Sequence, residues 1–127
     1  MGEPLSWIAV ALGAALGAWL RWGLTAFLGQ LHAHIQLGTL VANLVGGYLI
    51  GLALGFFDAS PVLSPAWRLF VVTGFLGGLT TFSSFSGEAM VLLQRGQYGW
   101  ALAHSALHLL GSIGCCIAGY ATWRGIA

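Results

Sequence analysis

Four long apolar segments, separated by short polar stretches, constrain the fold more than any other feature of the sequence. They cover approximately residues 5–27, 38–57, 66–93 and 100–123. A helix needs about 20 apolar residues to cross the roughly 30 Å hydrocarbon core of a bilayer, and each segment has that length. We therefore expect an all-α protein of the lipid bilayer, in which residues 1–127 form one domain of four transmembrane helices.

The scarcity of charged residues supports this class and excludes others. Of the 127 residues, 58% are hydrophobic and 6% are charged, whereas a soluble domain carries about 25% charged residues. The basic side chains are four arginines that form no cluster in the sequence, so nucleic acid is not an expected partner. We also find no nucleophile beside a base, so we do not expect an enzyme.

The third segment contains a polar, glycine-rich run, GFLGGLTTFSSFSGE, from Gly74 to Glu88. As one continuous helix this segment of about 28 residues would be roughly 42 Å long, which exceeds the hydrocarbon thickness. We therefore predict a helix break near Gly77 and Gly78, within residues 74–80. Irregular backbone is tolerated in a membrane only where protein buries it or where it lines a cavity, so the break is a candidate functional site.

The arginines are distributed evenly between the two ends of the four spans. If both termini lie on one side of the membrane, Arg68 and Arg124 belong to that side, and Arg21 and Arg95 belong to the other. Orientation follows the Lys/Arg bias of the loops, and here that bias is zero. The sequence is thus compatible with insertion in both orientations and with an antiparallel pair of copies.

Polar or small residues recur on one face of two spans. In the second span Thr39, Asn43 and Gly47 are each one turn apart, and in the fourth His104, His108 and Ser112 have the same spacing. Polar stripes of this kind often mark ion paths, although hydrogen bonding between helices explains them too. The histidine pair also has metal-ligand spacing, but no carboxylate or thiolate lies on its face, so a metal site is not favoured.

Two phenylalanines follow the break, Phe82 and Phe85, on one helical face. Residues at such spacing usually belong to a core, but these two are flanked by hydroxyl groups. Because an aromatic ring has a positive edge, a pair of rings turned edge-on could line the path of an anion. The break itself would release backbone carbonyls around Gly77 and Thr80, which are ligands suited to Na⁺. Four helices enclose little space, so we expect the path at a subunit interface.

Taken together, these features show that the sequence resembles the small bacterial fluoride channels, the Fluc or CrcB family, over essentially its whole length. The motifs that carry the resemblance are GAWLR (17–21), GTLVANLVGGYLIG (38–51) and GFLGGLTTFSSFSGE (74–88). The resemblance implies a fluoride-selective channel that exports F⁻ passively from the cytoplasm and so gives fluoride resistance. It also implies a dual-topology antiparallel homodimer in the bacterial inner membrane, with two fluoride pathways and a central structural Na⁺.

The resemblance further implies roles for individual residues. Phe82 and Phe85 would present their ring edges to fluoride, Asn43 would donate a hydrogen bond to it, and Arg21 would contribute positive potential in the vestibule. The backbone carbonyls of Gly77 and Thr80 would bind Na⁺. The other expected pathway residues are Thr39, Thr81, Ser83, Ser84, Glu88, His104, His108 and Ser112.

Two departures from the family pattern concern the pathway. Ser84 occupies a position where the family commonly has Thr, which keeps a hydroxyl. His104 and His108 occupy positions that usually carry a Tyr or Ser hydroxyl, and a histidine can donate one proton or, when charged, two. The coordination along the fourth helix is therefore expected to differ from the family pattern.

Two other functions are compatible with parts of the sequence. A small dual-topology multidrug/proton exporter would share the length and the balanced arginines, but it needs a carboxylate embedded in the membrane, typically within its first span. That span, WIAVALGAALGAWL, contains none, and Glu88 lies late in the third. A non-transporting assembly protein, in which the polar residues serve only packing, is the third possibility.

Overall fold

The computed structural model describes residues 2–28 and 32–126, and within them every regular element is a helix. Four stretches are long and apolar enough to cross a membrane, which confirms the predicted class. Three of them are continuous: α1 (Gly2–Leu28), α2 (Leu37–Asp58) and α6 (Tyr98–Ile126). The third span consists of α3 (Pro65–Arg68), a π-helical stretch (Leu69–Leu76), α4 (Gly77–Leu79) and α5 (Phe82–Gln94).

The third span breaks at Thr80 and Thr81, at the C-terminal end of the predicted range 74–80, and not at Gly77 and Gly78 themselves. Thr80 (φ −86°, ψ 156°) and Thr81 (φ −151°, ψ 126°) have extended backbone, while both glycines are helical in α4. Thr81 is the N-cap of α5, because its Oγ1 accepts a hydrogen bond of 3.1 Å from the amide of Ser84. Threonine is a favoured N-cap residue, and this cap determines where the new helix begins.

The glycines of the third span instead permit close contact with α1. A Cβ atom on Gly78 would lie 2.5 Å from the carbonyl oxygen of Ala14, and one on Gly74 would lie 2.9 Å from that of Val10. Real Cβ atoms do not approach backbone oxygens so closely. These two glycines are therefore required by helix packing, of the kind that small residues allow in membranes, and they do not cause the break.

A second helix pair, α2 and α6, packs by the same means. A Cβ atom on Gly47 would lie 2.8 Å from the carbonyl oxygen of Ser112, and one on Gly51 would overlap the carbonyl of Cys116. The four-residue spacing of these glycines in α2 thus forms a close-packing face. This face positions the histidine stripe of α6 against the polar face of α2.

Large apolar side chains point outward from the single chain. Trp7, Trp22 and Phe27 are 72%, 73% and 82% exposed. Such exposure is unfavourable in water but suits contact with lipid. Polar residues, by contrast, lie inside: Thr39, Asn43 and the two histidines of α6 are all buried. The fold therefore has an apolar exterior and a polar interior at the level of the break.

Candidate functional site

Asn43 of α2 pairs with the backbone of the break. Its Oδ1 accepts from the amide of Thr81 at 2.8 Å, and its Nδ2 donates to the carbonyl of Thr81 at 3.0 Å. The side-chain amide thus replaces two backbone hydrogen bonds that a broken helix loses. This pairing explains how extended backbone is accommodated within a membrane-spanning segment, and the sequence did not reveal it.

The same break changes the surroundings of two carbonyls, those of Gly77 and Thr80. In a continuous helix they would accept from the amides of Thr81 and Ser84. Here the amide of Thr81 donates to Asn43, and the amide of Ser84 donates to Oγ1 of Thr81. Both carbonyls predicted as cation ligands therefore lose their helical partners at this break.

Arg21 of α1 lies at the end of α4. Its Nε donates to the carbonyl of Gly78 at 3.1 Å, and the side chain is partly buried. A cation close to a helix C-terminus also interacts favourably with the partial negative charge there. Arg21 thus connects the first span to the helix that precedes the break, and the sequence pattern did not predict this contact.

His108 of α6 is the second partner of the Asn43 side-chain amide. Nδ2 of Asn43 lies 2.9 Å from Nδ1 of His108, and both side chains are buried. Both hydrogens of the Asn43 amide are accordingly used, one by Thr81 and one by His108. The donor predicted to meet fluoride directly is thus engaged within the protein.

Phe85 of α5 stacks on both histidines of α6. Its ring centroid lies 5.4 Å from that of His104 and 5.0 Å from that of His108, with interplanar angles of 28° and 29°. Phe82 meets Phe85 edge to face at 5.3 Å and is 75% exposed. The face of Phe85 is therefore occupied by the imidazoles, and Phe82 is free on the exterior of the chain.

Glu88 lies between the second and fourth spans. Its Oε2 accepts from the hydroxyl of Thr39 at 2.7 Å, and its Oε1 lies 3.5 Å from Nε2 of His104. The same Nε2 is 3.3 Å from the carbonyl oxygen of Phe85. Since both neighbours are acceptors, the proton of His104 is assigned to Nε2. This carboxylate joins the two polar faces that the sequence analysis treated separately.

The three residues Glu88, His104 and His108 can each offer one ligand atom, and these atoms lie within 4.8 Å of one another. A carboxylate from another helix therefore does accompany the histidines, contrary to the expectation from the α6 face alone. However, Nδ1 of His108 accepts from Asn43, so the proton of the neutral ring lies on Nε2. A protonated nitrogen cannot bind a metal. Nε2 of His108 therefore favours a hydrogen-bond acceptor over a metal ion.

A groove of about 350 Å³ runs along the junction of α2, the break, α5 and α6. Among residues 2–28 and 32–126, seven of the predicted site residues line it, whereas Ser83 and Ser84 do not. Ser83 lies beside it, with its hydroxyl 3.2 Å from that of Thr81. The predicted residues in the lining are Asn43, Thr80, Thr81, Phe82, Phe85, His108 and, further along α6, Ser112.

Four apolar spans around a buried polar cluster define a multi-pass membrane protein with a site between its helices. A family model described as "CrcB-like protein, Camphor Resistance (CrcB)" matches residues 8–120, so the chain belongs to the CrcB family. This confirms the resemblance inferred from the sequence motifs.

Curated relatives cover almost the whole chain. A protein of Cupriavidus pinatubonensis is 57% identical over 124 residues, covering 98% of each chain, and one of Pseudomonas putida is 57% identical over 122 residues, covering 96% of each. A protein of Nitrosomonas europaea is 54% identical over 122 residues, covering 96% of this chain and 94% of its own. Each is named "Fluoride-specific ion channel FluC", which is the name of a channel and not of an enzyme.

Proposed function

We propose that this protein is a fluoride-selective ion channel that lets F⁻ leave the cytoplasm passively. The observation that carries the proposal is the groove along the break, in which aromatic rings and buried hydrogen-bond donors lie together. The names of the relatives supply the identity of the ion. The bacterial inner membrane is the natural location for this activity.

Fluoride is small and strongly hydrated, so a path for it must replace its water with several donors and still release it at both ends. The groove offers the Ser112 and Thr81 hydroxyls and the imidazole of His108. The positive ring edges of Phe82 and Phe85 add attraction without a full charge. Chloride is larger and would fit a narrow path of this kind less well.

The direction of flow requires no coupling to another reaction. A membrane potential of 100 mV, negative inside, is worth about 2.3 kcal/mol per elementary charge, which corresponds to roughly a 50-fold concentration ratio. An open path for F⁻ would therefore keep the cytoplasmic fluoride well below the external level. Such a path would confer resistance to fluoride.

The pathway is completed, in this proposal, by a second copy of the chain in the opposite orientation. Phe82 is 75% exposed and Gly77 is also exposed on the single chain, so both can meet a partner. Two antiparallel copies would give two equivalent fluoride paths. The balanced arginines support the dual orientation that such a pair needs.

The carbonyls of Gly77 and Thr80 fit a central Na⁺ between the two copies. Their helical partners are engaged elsewhere, by Asn43 and by Oγ1 of Thr81, and hard cations prefer carbonyl oxygens of this kind. Two carbonyls from each copy would supply four oxygen ligands. The ion would hold the two breaks together and take no part in moving fluoride.

Growth of a bacterium that lacks its own fluoride exporter tests the function in cells. Expression of this protein should restore growth in medium containing fluoride, because the membrane potential drives F⁻ out through the channel. The expression vector alone is the control, and membrane levels of the protein are measured in parallel. Protection against toxic organic cations with no protection against fluoride would instead support the multidrug exporter.

A further inference from the structure

The orientation of the Asn43 side chain is determined by the backbone of Thr81. The amide of Thr81 can only donate and its carbonyl can only accept. Oδ1 of Asn43 must therefore face the amide, at 2.8 Å, and Nδ2 must face the carbonyl, at 3.0 Å. The usual ambiguity between the oxygen and nitrogen of an asparagine side chain does not arise here.

This orientation determines the protonation of His108 in turn. Nδ2 of Asn43 has no lone pair to offer, so Nδ1 of His108, 2.9 Å away, must be the acceptor. The imidazole is then neutral and carries its proton on Nε2. A second proton on Nδ1 would point directly at the Asn43 amide hydrogens, which opposes charging of the ring.

Nε2 of His108 is a buried donor in need of an acceptor. It has no hydrogen-bond partner in the part of the chain that the structure describes. The His108 ring centroid lies 5.0 Å from that of Phe85 and 4.5 Å from that of His104, and His108 lines the groove. Leaving a buried donor unpartnered is unfavourable, so this N–H indicates a bound species that accepts a hydrogen bond.

We propose that Asn43 is a positioning residue that holds His108 as the neutral Nε2–H tautomer, and that this N–H, not the Asn43 amide, donates to the passing fluoride. The inference rests on the proposed fluoride channel for the identity of the acceptor. A neutral donor has a physical advantage over an imidazolium, because a full positive charge would hold F⁻ too tightly for release.

Nitrogen-15 NMR of histidine-labelled protein in lipid tests the tautomer directly, since the two ring nitrogens of each neutral tautomer resonate differently. The His108 signals are assigned from their loss in His108→Gln. We expect a neutral ring with its proton on Nε2, and a shift of the Nε2 signal on adding fluoride but not on adding chloride. A wild-type ring that is doubly protonated, or that carries its proton on Nδ1, overturns the inference.

Asn43→Asp provides a second test of the His108 tautomer, because a carboxylate of the same shape cannot donate a hydrogen bond to Nδ1 of His108. The proton of His108 should then move to Nδ1, and fluoride efflux should fall by at least about tenfold, as expected for the loss of one donor to an anion. Thr39→Val is the matched control: it removes a hydroxyl one turn away on the same face and should leave the His108 tautomer unchanged. A Thr39→Val protein with an altered tautomer would contradict the specific role of Asn43.

A double-mutant comparison separates indirect from direct action of Asn43. If it acts only through His108, then Asn43→Asp should cause no further loss of efflux in a His108→Leu background. A further tenfold loss in that background would show that Asn43 also affects efflux independently of His108, through the Thr81 backbone or by donating to fluoride itself, and would overturn a role through His108 alone. Fluoride efflux by the wild-type protein without any response of Nε2 to fluoride would reject this inference but not the proposed channel function. Absence of fluoride efflux would reject the channel function itself.

Discussion

Phe82→Ile should leave the protein folded in the membrane but reduce fluoride efflux by at least about tenfold. Phe82 lies in the groove, meets Phe85 edge to face and is 75% exposed. Isoleucine keeps most of the apolar bulk but has no ring and therefore no positive edge. A contribution equal to that of one hydrogen bond to a charged group, about 1.5–3 kcal/mol, corresponds to roughly a 10- to 150-fold lower rate.

The matched control for this variant is Phe27→Ile. Phe27 is 82% exposed at the end of α1 and is outside the groove lining, so the same chemical change should leave efflux within about twofold of wild type. Both variants are purified, reconstituted at equal density and compared for efflux and oligomeric state. Unchanged efflux in Phe82→Ile, with Phe27→Ile also unchanged, would refute the role of the ring edge.

Forcing the chain into one orientation should abolish activity, and combining two opposite orientations should restore it. The loop at residues 59–64 and the loop at residues 32–36 lie at opposite ends of the second span. Val62→Lys with Leu63→Lys should hold the first loop in the cytoplasm, and Ala33→Lys with Gln36→Lys should hold the second, because lysines bias loops to that side. Val62 is 94% exposed, Leu63 is 38% exposed, and Ala33 and Gln36 are also exposed. These substitutions should therefore not disturb the packing of buried residues.

Each biased variant is expressed alone and together with the other, and fluoride resistance and oligomer size are measured. We expect background resistance from each alone, because parallel copies cannot form the antiparallel pair, and wild-type resistance from the mixture. The matched controls place glutamine at Val62 and Leu63, or at Ala33 with Gln36 left as it is, which adds polarity without charge and should retain activity. Full activity of one biased variant alone would refute the dual-topology dimer.

The fold class followed from the sequence because it depends on averages over whole segments. Four stretches near the length of a bilayer and a charged fraction of 6% leave few alternatives for the chain. The position of the break was predicted less well, since glycines were taken as its cause. Gly74 and Gly78 are needed for contact with α1, and such a contact between distant segments is not visible in a local pattern.

A local signal for the break did exist. Thr81 precedes the apolar α5 segment and caps it through the amide of Ser84, and a threonine in this position is a recognised helix start. The contacts of Asn43 with Thr81, and of Glu88 with Thr39, join residues 38 and 49 positions apart. Periodicity places these residues on polar faces, but only the fold shows which faces meet.

Efflux from liposomes containing the purified protein tests the central claim most directly, with fluoride and chloride compared under an imposed membrane potential. We expect rapid fluoride efflux, no chloride leak above that of protein-free liposomes, and at least about tenfold slower fluoride efflux from Phe82→Ile. No efflux of fluoride from liposomes that contain correctly assembled protein, or equal efflux of both ions, would contradict a fluoride-selective channel.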